Sequence, residues 1–395
     1  MDGIFEIRIV DTGVGGDGIG RVDGYAVFVA GALPGDTVEV RLTERGKRFG
    51  RGELVRIVRP SPGRVEPLCP VWDRCGGCSL QCYDYAAQLK LKKKRVGDSF
   101  RHIGGMEADV NDVIGMENPF HYRNKAVYRV SAKDGGITAG FCSGRSHDVV
   151  EVGNCLILHP SINEMYKNNI LPLKNLRDFG SVTVRTSFYT GETAAYAARN
   201  GKTEVLFGGD HITEAVGGFK FRVSSGAFFQ VNPVQTKVLY DKVLEFAGLD
   251  RSRNVLDLYC GIGTVTLYCA GRAKLAVGVE IDGAAVQDAE RNAKLNNIEN
   301  AEFINADACG TDFGELPDFG TVILDPPRKG AGTGLLRRII AIGPERIVYI
   351  SCDPATLARD AGFLCANGYA AGRVQPVDMF PMTGHVECVA ELYRK

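Results

Sequence analysis

Asp257-Leu258-Tyr259-Cys260-Gly261-Ile262-Gly263-Thr264 joins a strand-like run, Val255–Tyr259, to a helix-like stretch, Thr264–Ala270. Two glycines between a strand and a helix allow a tight turn and close approach of a ligand to the backbone. Beyond this turn the pattern alternates. Leu275–Glu280 reads as a strand and Ala284–Asn297 as a helix; short strands follow at Ala301–Ile304 and Thr321–Leu324, then a helix at Leu335–Ile342. Arg346–Ile350 is a further strand and Ala355–Asn367 a further helix. Such alternation implies a mostly parallel, doubly wound α/β sheet with a Rossmann-like order of elements. The last two strands, Val374–Asp378 and Val386–Leu392, have no helix between them and read as an antiparallel edge pair.

Acidic residues close the strands of this sheet. Glu280 ends the second strand, where a carboxylate can take both hydroxyls of a ribose, and Asp307 follows the third, where one can take an adenine amino group. A dinucleotide site would carry a third glycine, but Gly261-x-Gly263 is followed by Thr264-Val265-Thr266. The set therefore suits S-adenosylmethionine better than NAD. Asp325-Pro326-Pro327-Arg328 ends the fourth strand. Methyltransferases that act on amino groups place an aromatic after this motif to stack on the target base, so Arg328 disfavours an exocyclic amine as acceptor.

Ser351-Cys352-Asp353-Pro354 ends the fifth strand. Asp353 can cap the next helix and Pro354 can open it. The positive helix end is expected to favour a thiolate at Cys352. A thiol beside a methyl donor points to methylation at carbon. The C5 atom of a pyrimidine is a poor nucleophile until a thiolate adds at C6, and a base must then remove the C5 proton. Glu387 is the candidate base, because it interrupts the apolar strand Val386, Cys388, Val389, Ala390; His385 is a second candidate.

The N-terminal part reads differently. Ile4–Asp11, Tyr25–Ala30 and Thr37–Leu42 are short strands between Gly-rich turns, which suits a small β-barrel over residues 1–60. Arg41, Arg45, Lys47, Arg48 and Arg51 surround Phe49 in a basic hairpin able to meet RNA. Pro60-Ser61-Pro62-Gly63 marks a boundary, followed by a Cys-rich segment and a helix, Tyr85–Phe100. Residues 61–225 read as a central α+β domain with a strand at Val182–Thr186, and 226–395 as the α/β domain. Net charge is zero over 395 residues, which excludes a global polycation but not a local basic surface. No apolar run reaches the roughly 18 residues of a membrane helix, and Met1–Glu6 has no signal character, so a cytoplasmic protein is expected. Twelve cysteines are then not expected to be disulfides. Cys69, Cys75 and Cys78 form a C-x5-C-x2-C set that zinc or an iron–sulfur cluster would both accept.

The chain resembles the uracil-5 methyltransferases of tRNA and rRNA over nearly its full length. The resemblance rests on Pro34-Gly35-Asp36 in a barrel similar to a TRAM domain, Phe228-Phe229-Gln230-Val231-Asn232-Pro233, Asp257–Thr264, Asp325-Pro326-Pro327-Arg328, Ser351-Cys352-Asp353-Pro354 and His385-Val386-Glu387. It implies that Cys352 attacks uracil C6, that Glu387 accepts the proton, and that Gln230, Tyr259, Thr264, Glu280, Asp307 and Asp325 line the S-adenosylmethionine site. It also implies a [4Fe-4S] cluster on Cys69, Cys75, Cys78 and, as the distant fourth ligand, Cys155; Cys82 and Cys142 are rivals for that place. The barrel and the cysteine set are taken to favour 23S rRNA over tRNA, with a monomeric enzyme and no protein partner. A cytosine-5 methyltransferase is disfavoured by Ser351 before Cys352, where a Pro-Cys pair would stand. A scaffold with a vestigial methyltransferase fold would not need Cys352, Glu387 and the cofactor residues together. Thr264 and Asp353 depart from the family, where many members carry Asn.

Overall fold

The computed structural model describes residues 3–133, 136–144, 146–168, 176–199, 202–311, 313 and 317–395. Six strands come first: β1 (Ile4–Arg8), β2 (Asp11–Thr12), β3 (Gly18–Val22), β4 (Tyr25–Val29), β5 (Thr37–Arg45) and β6 (Phe49–Arg59). They pair in the order β1-β5-β6-β4-β3-β2 and curl into a small barrel. Alternating residues fill it: Ile7 and Ile9, Val27 and Val29, Val38 and Val40. The turn at Pro34-Gly35-Asp36 ties the barrel to the next segment. The Asp36 carboxylate accepts from the Leu33 and Ser61 amides, both at 2.7 Å, and from the Arg64 guanidinium at 2.5 Å.

Helix α1 (Tyr85–His102) follows, capped by Asp84, whose carboxylate accepts from the Ala86 and Ala87 amides. A two-residue strand, β7 (Asp109–Val110), comes next. The central sheet contains β8 (Lys125–Lys133), β9 (Gly136–Cys142) and β10 (Val149–Val150); after helix α2 (Pro160–Lys167) it adds β11 (Ser181–Thr186), β12 (Thr193–Arg199) and β13 (Lys202–Phe207). Its order is β10-β9-β8-β11-β12-β13. A hairpin, β14 (His211–Val216) with β15 (Phe219–Ser224), leads into α3 (Pro233–Ala247).

The C-terminal part runs β16 (Asn254–Leu258), α4 (Thr264–Ala270), β17 (Leu275–Glu280), α5 (Gly283–Leu295), β18 (Ala301–Asn305), β19 (Phe319–Leu324), α6 (Gly332–Ile342), β20 (Arg346–Ser351), α7 (Pro354–Ala366), β21 (Tyr369–Val377) and β22 (Glu387–Arg394). The sheet order is β18-β17-β16-β19-β20-β22-β21-β7, parallel from β18 to β20 and antiparallel at β22. This is the expected doubly wound sheet, buried on both faces. One expectation is corrected. β21 and β22 do pair antiparallel, but β22 lies between β20 and β21, and the outermost strand is β7. A two-residue strand carries no alternation, so β7 leaves no periodic trace in the sequence. Helix α3 lies before the strand-helix alternation begins, and Asn232 caps it and Pro233 opens it.

Candidate active site

Strand register brings the thiol and the candidate base together. Ser351 pairs with Cys388, so one further step along the β20–β22 ladder sets Cys352 against Glu387. Glu387 opens β22 and also pairs with Val377 of β21; it is only 3% exposed. Asp325 lies just beyond β19. Burial pushes the Glu387 carboxyl well above its usual range, and the Asp325 charge adds to that, against the guanidinium of Arg328. Burial also raises Asp325, to about 7. Two carboxylates that share a buried space cannot both ionise easily, so this pair titrates as a unit.

Asp353 caps α7 and Pro354 opens it, as the sequence predicts. The expected stabilisation of a thiolate by the helix end is not what the geometry gives. The Asp353 carboxylate already accepts from the Ala355 and Thr356 amides, so the positive end is occupied. Burial first, then the charges of Glu387 and Asp325, push the Cys352 thiol up to about 11, opposed by Arg328. Arg328, read from the sequence only as a missing aromatic, thus faces the thiol. Nothing in the local sequence announces this, because Arg328 and Cys352 sit on loops after different strands. His385 is partly buried, and burial and nearby cations favour its neutral form.

The glycine turn forms one wall of a cleft at the carboxyl ends of the strands. Gln230, Tyr259, Thr264 and Asp325 line it together with Phe229 and Asp257. Gly263 has φ +80°, and a Cβ there would stand 2.9 Å from the Phe303 ring. Thr264 Oγ1 accepts from the Tyr240 hydroxyl at 3.0 Å. Asp257 Oδ2 accepts from Thr266 at 2.6 Å, whereas its Oδ1 is buried without a partner. Glu280 and Asp307 are not among the residues that wall this cleft. Glu280 braces the turn by accepting from the Gly261 amide at 3.1 Å, and Asp307 accepts from the Cys309 amide at 3.0 Å. Asp307 still acts on Tyr259 through space.

A second cavity, of about 180 Å³, is lined by Cys69, Cys75, Cys78 and Cys155, with Gln81 and Arg123. The Gln81 side chain accepts from the Cys69 amide at 2.7 Å. The rivals are absent from its wall: Cys82 packs among Leu33, Leu80 and Leu91, and Cys142 lies outside. Among the described residues no three His, Cys, Asp or Glu side chains converge on a single ion.

A parallel sheet with a cleft at its carboxyl ends, beside a glycine turn and acidic strand ends, defines an S-adenosylmethionine-dependent methyltransferase. The comparisons make the class specific. Residues 4–55 match the TRAM domain, and residues 149–315 and 311–395 match the tRNA (Uracil-5-)-methyltransferase family. The chain belongs to this family of RNA (uracil-5-)-methyltransferases. It is 38% identical, over an alignment 449 positions long, to an uncharacterized RNA methyltransferase of Halalkalibacterium halodurans, covering 99% of this chain and 97% of that protein. It is 39% identical over 443 residues to one from Caldanaerobacter subterraneus, covering 99% and 98%. The crystal structure of Pyrococcus abyssi tRNA (uracil-54, C5)-methyltransferase with S-adenosyl-L-homocysteine superposes with a TM-score of 0.79 at 26% identity, over 98% of this chain and 100% of that one. That neighbour is named for tRNA and spans the barrel as well. The barrel therefore does not distinguish an rRNA enzyme from a tRNA enzyme.

Proposed function

We propose that the enzyme methylates C5 of a uridine in structured RNA through a covalent bond between Cys352 and uracil C6. The observation that carries this is the Ser351–Cys388 pairing, which brings the adjoining Cys352 and Glu387 close enough to act on each other, with Asp325 acting on both. Bound S-adenosylmethionine supplies an electrophilic methyl group. The cleft residues fit such a ligand, since Asp257 offers an unpartnered buried oxygen there. Gln230, Tyr259, Thr264 and Asp325 would hold it, with Glu280 fixing the glycine turn through the Gly261 amide.

The Cys352 sulfur, once deprotonated, adds to C6; the C5=C6 pair moves toward O4 and makes C5 nucleophilic. After C5 takes the methyl group, the Glu387 carboxylate accepts the C5 proton. The C5=C6 bond re-forms and the C6–S bond breaks, returning the thiolate. The chain's own task is to hold these groups on adjacent strand ends, with water largely excluded around Glu387.

RNA with 5-fluorouracil in place of uracil tests this, because fluorine cannot leave as a proton. Wild-type protein with cofactor should form an adduct that survives denaturation, and Cys352→Ala should form none. An adduct that persists in Cys352→Ala would refute the mechanism.

The preferred substrate is 23S rRNA, a reading that rests on resemblance in the cysteine set. tRNA is the second reading, favoured by the name of the Pyrococcus neighbour. Methylation of the two purified RNAs decides between them.

The four thiols are read as ligands of a [4Fe-4S] cluster. Four thiolates suit either zinc or a cluster; the resemblance favours the cluster, and the cavity of about 180 Å³ that the four thiols line leaves room for it. Anaerobically purified protein should carry iron and sulfide; stoichiometric zinc without iron would refute the cluster.

A further inference from the structure

Arg328 opposes the rise of both the Cys352 thiol and the Glu387 carboxyl. Its side chain is exposed, so the backbone beneath it, more than packing around it, decides where the guanidinium lies. That backbone is held on both sides. Pro326 and Pro327, whose φ angles are fixed by their rings, lead into it from Asp325. The Gly330 amide donates to the Pro327 carbonyl at 2.8 Å and closes a turn with Arg328 and Lys329 at its centre.

The anchors of this turn are buried. Asp360 on α7 is 2% exposed, and its Oδ2 accepts from the Ala331 amide at 2.9 Å and from the Tyr349 hydroxyl at 2.7 Å. The Tyr349 hydroxyl, from β20, accepts from the same amide at 3.1 Å. Asp360 Oδ1 accepts from Arg359 Nε at 2.8 Å, and Arg359 Nη2 donates to the Lys329 carbonyl at 2.9 Å. Gly330 has φ +83°, and a Cβ there would overlap the Arg359 guanidinium and the Asp360 carboxylate. The turn therefore sits on Asp360 more closely than any side chain at 330 would permit.

Tyr349, Cys352 and Asp360 belong to one continuous unit, in which β20 runs through the Ser351–Pro354 turn into α7. The same unit carries the thiol and grips the turn that presents Arg328. We propose that Asp360 is a positioning residue which, with Tyr349 and Arg359, sets the Arg328 turn so that the guanidinium faces Cys352. This deepens the reading of Cys352 as the nucleophile and rests on it.

Alkylation of Cys352 by iodoacetamide, followed by mass spectrometry of its peptide, tests this without RNA. The groups that act on the thiol are Glu387 and Cys388 of β22, and Asp325 and Arg328 after β19. Asp360 is an acid, so loss of its charge alone would ease ionisation of the thiol and speed alkylation. Loss of the turn's position does the opposite, because a cation moves away. Asp360→Ala should slow alkylation at pH 8 roughly tenfold, since thiolate falls tenfold for each pKa unit. Asp360→Asn, which keeps an acceptor for Tyr349 and Ala331, should recover part of the rate. Arg328→Met should slow alkylation as much, and the double change with Asp360→Ala should be no slower than Arg328→Met alone. Unchanged or faster alkylation in folded Asp360→Ala, or additive effects in the double variant, would overturn the proposal. Tyr349→Phe keeps the buried ring and removes one anchor, so it serves where Asp360→Ala does not fold; a wild-type rate there would also overturn it. Slowed alkylation in an enzyme that forms no adduct with 5-fluorouracil RNA would defeat the parent reading alone and leave the positioning role standing.

Discussion

Cys352 and the Asp325–Glu387 pair rest in protonation states that the proposed reaction must change. The thiol sits at about 11 and has to lose its proton, while the raised carboxyls have to be free to accept one. One proton is released in each cycle, from C5, and the thiol must also give up its own before it can attack; two carboxylates stand ready to accept them. Turnover should therefore rise with pH from about 6 to 8 as the pair ionises, and Asp325→Asn should flatten that rise and lower kcat by on the order of a hundredfold. Glu387→Gln should accumulate a methylated Cys352 adduct on ordinary uridine; full turnover would exclude Glu387 as the base. Asp325 also carries a stability signature. Its carboxyl is raised in the folded state to about 7 from about 3.9 in the unfolded chain, so its contribution is fully present below pH 4 and lost as pH rises through 7. Melting scans should show Asp325→Asn gaining stability over wild type at pH 8 and little at pH 4. Cys352 and Asp325 were legible because each follows the end of an apolar strand, and Glu387 because it interrupts an apolar run. The protonated thiol was not, since it depends on side chains that arrive from three separate strand ends.

Helix α1 is the element that holds the approach to Glu387. Lys92, fully buried, donates to Asp378 at 2.6 Å and to the Phe380 carbonyl at 3.1 Å. The Tyr85 hydroxyl donates to the other Asp378 oxygen at 2.9 Å. Gln88 receives the Met382 amide at 3.1 Å, and Arg95 donates to the Gly384 carbonyl. Removing one partner of a buried ion pair leaves the other charge stranded. Lys92→Met should thus cost roughly 3 kcal/mol in denaturant unfolding, while the double change Lys92→Met with Asp378→Leu should recover most of it. Gly263 is the second point of strain at this scale. Gly263→Ala would force a Cβ against Phe303 at a positive φ, so cofactor affinity should drop along with stability. Sequence alternation revealed the sheet and α1 itself. It could not reveal that Lys92, written among Lys90, Lys93 and Lys94 in a basic run, is the one turned inward.

Across the whole molecule, the barrel and the cysteine segment join helix α1 at the segment from Asp378 to Val386. The barrel reaches it through Arg95, which also donates to the Thr12 and Gly13 carbonyls at 3.2 and 3.0 Å. The cysteine segment reaches it through Leu80, whose amide donates to the Met382 carbonyl at 2.9 Å, and through Ser79 Oγ, which accepts from the Gly384 amide at 3.2 Å. Ser79 follows Cys78 directly. Removal of the proposed cluster should then slow adduct formation with 5-fluorouracil RNA while leaving cofactor affinity intact, a split that equilibrium binding and single-turnover assays would resolve.

The short strand β7 has its own consequence. With the 111–114 segment it occupies the outer side of β21, where the amides of Asn111 and Ile114 donate to the Val374 and Pro376 carbonyls. Expressed without the residues before Pro233, the catalytic sheet would present the nine-residue β21 as a bare edge. Such an edge templates further strands, so the isolated half should self-associate and precipitate rather than behave as a free-standing domain. The chain's middle portion thus serves as an aggregation guard for the sheet that follows it.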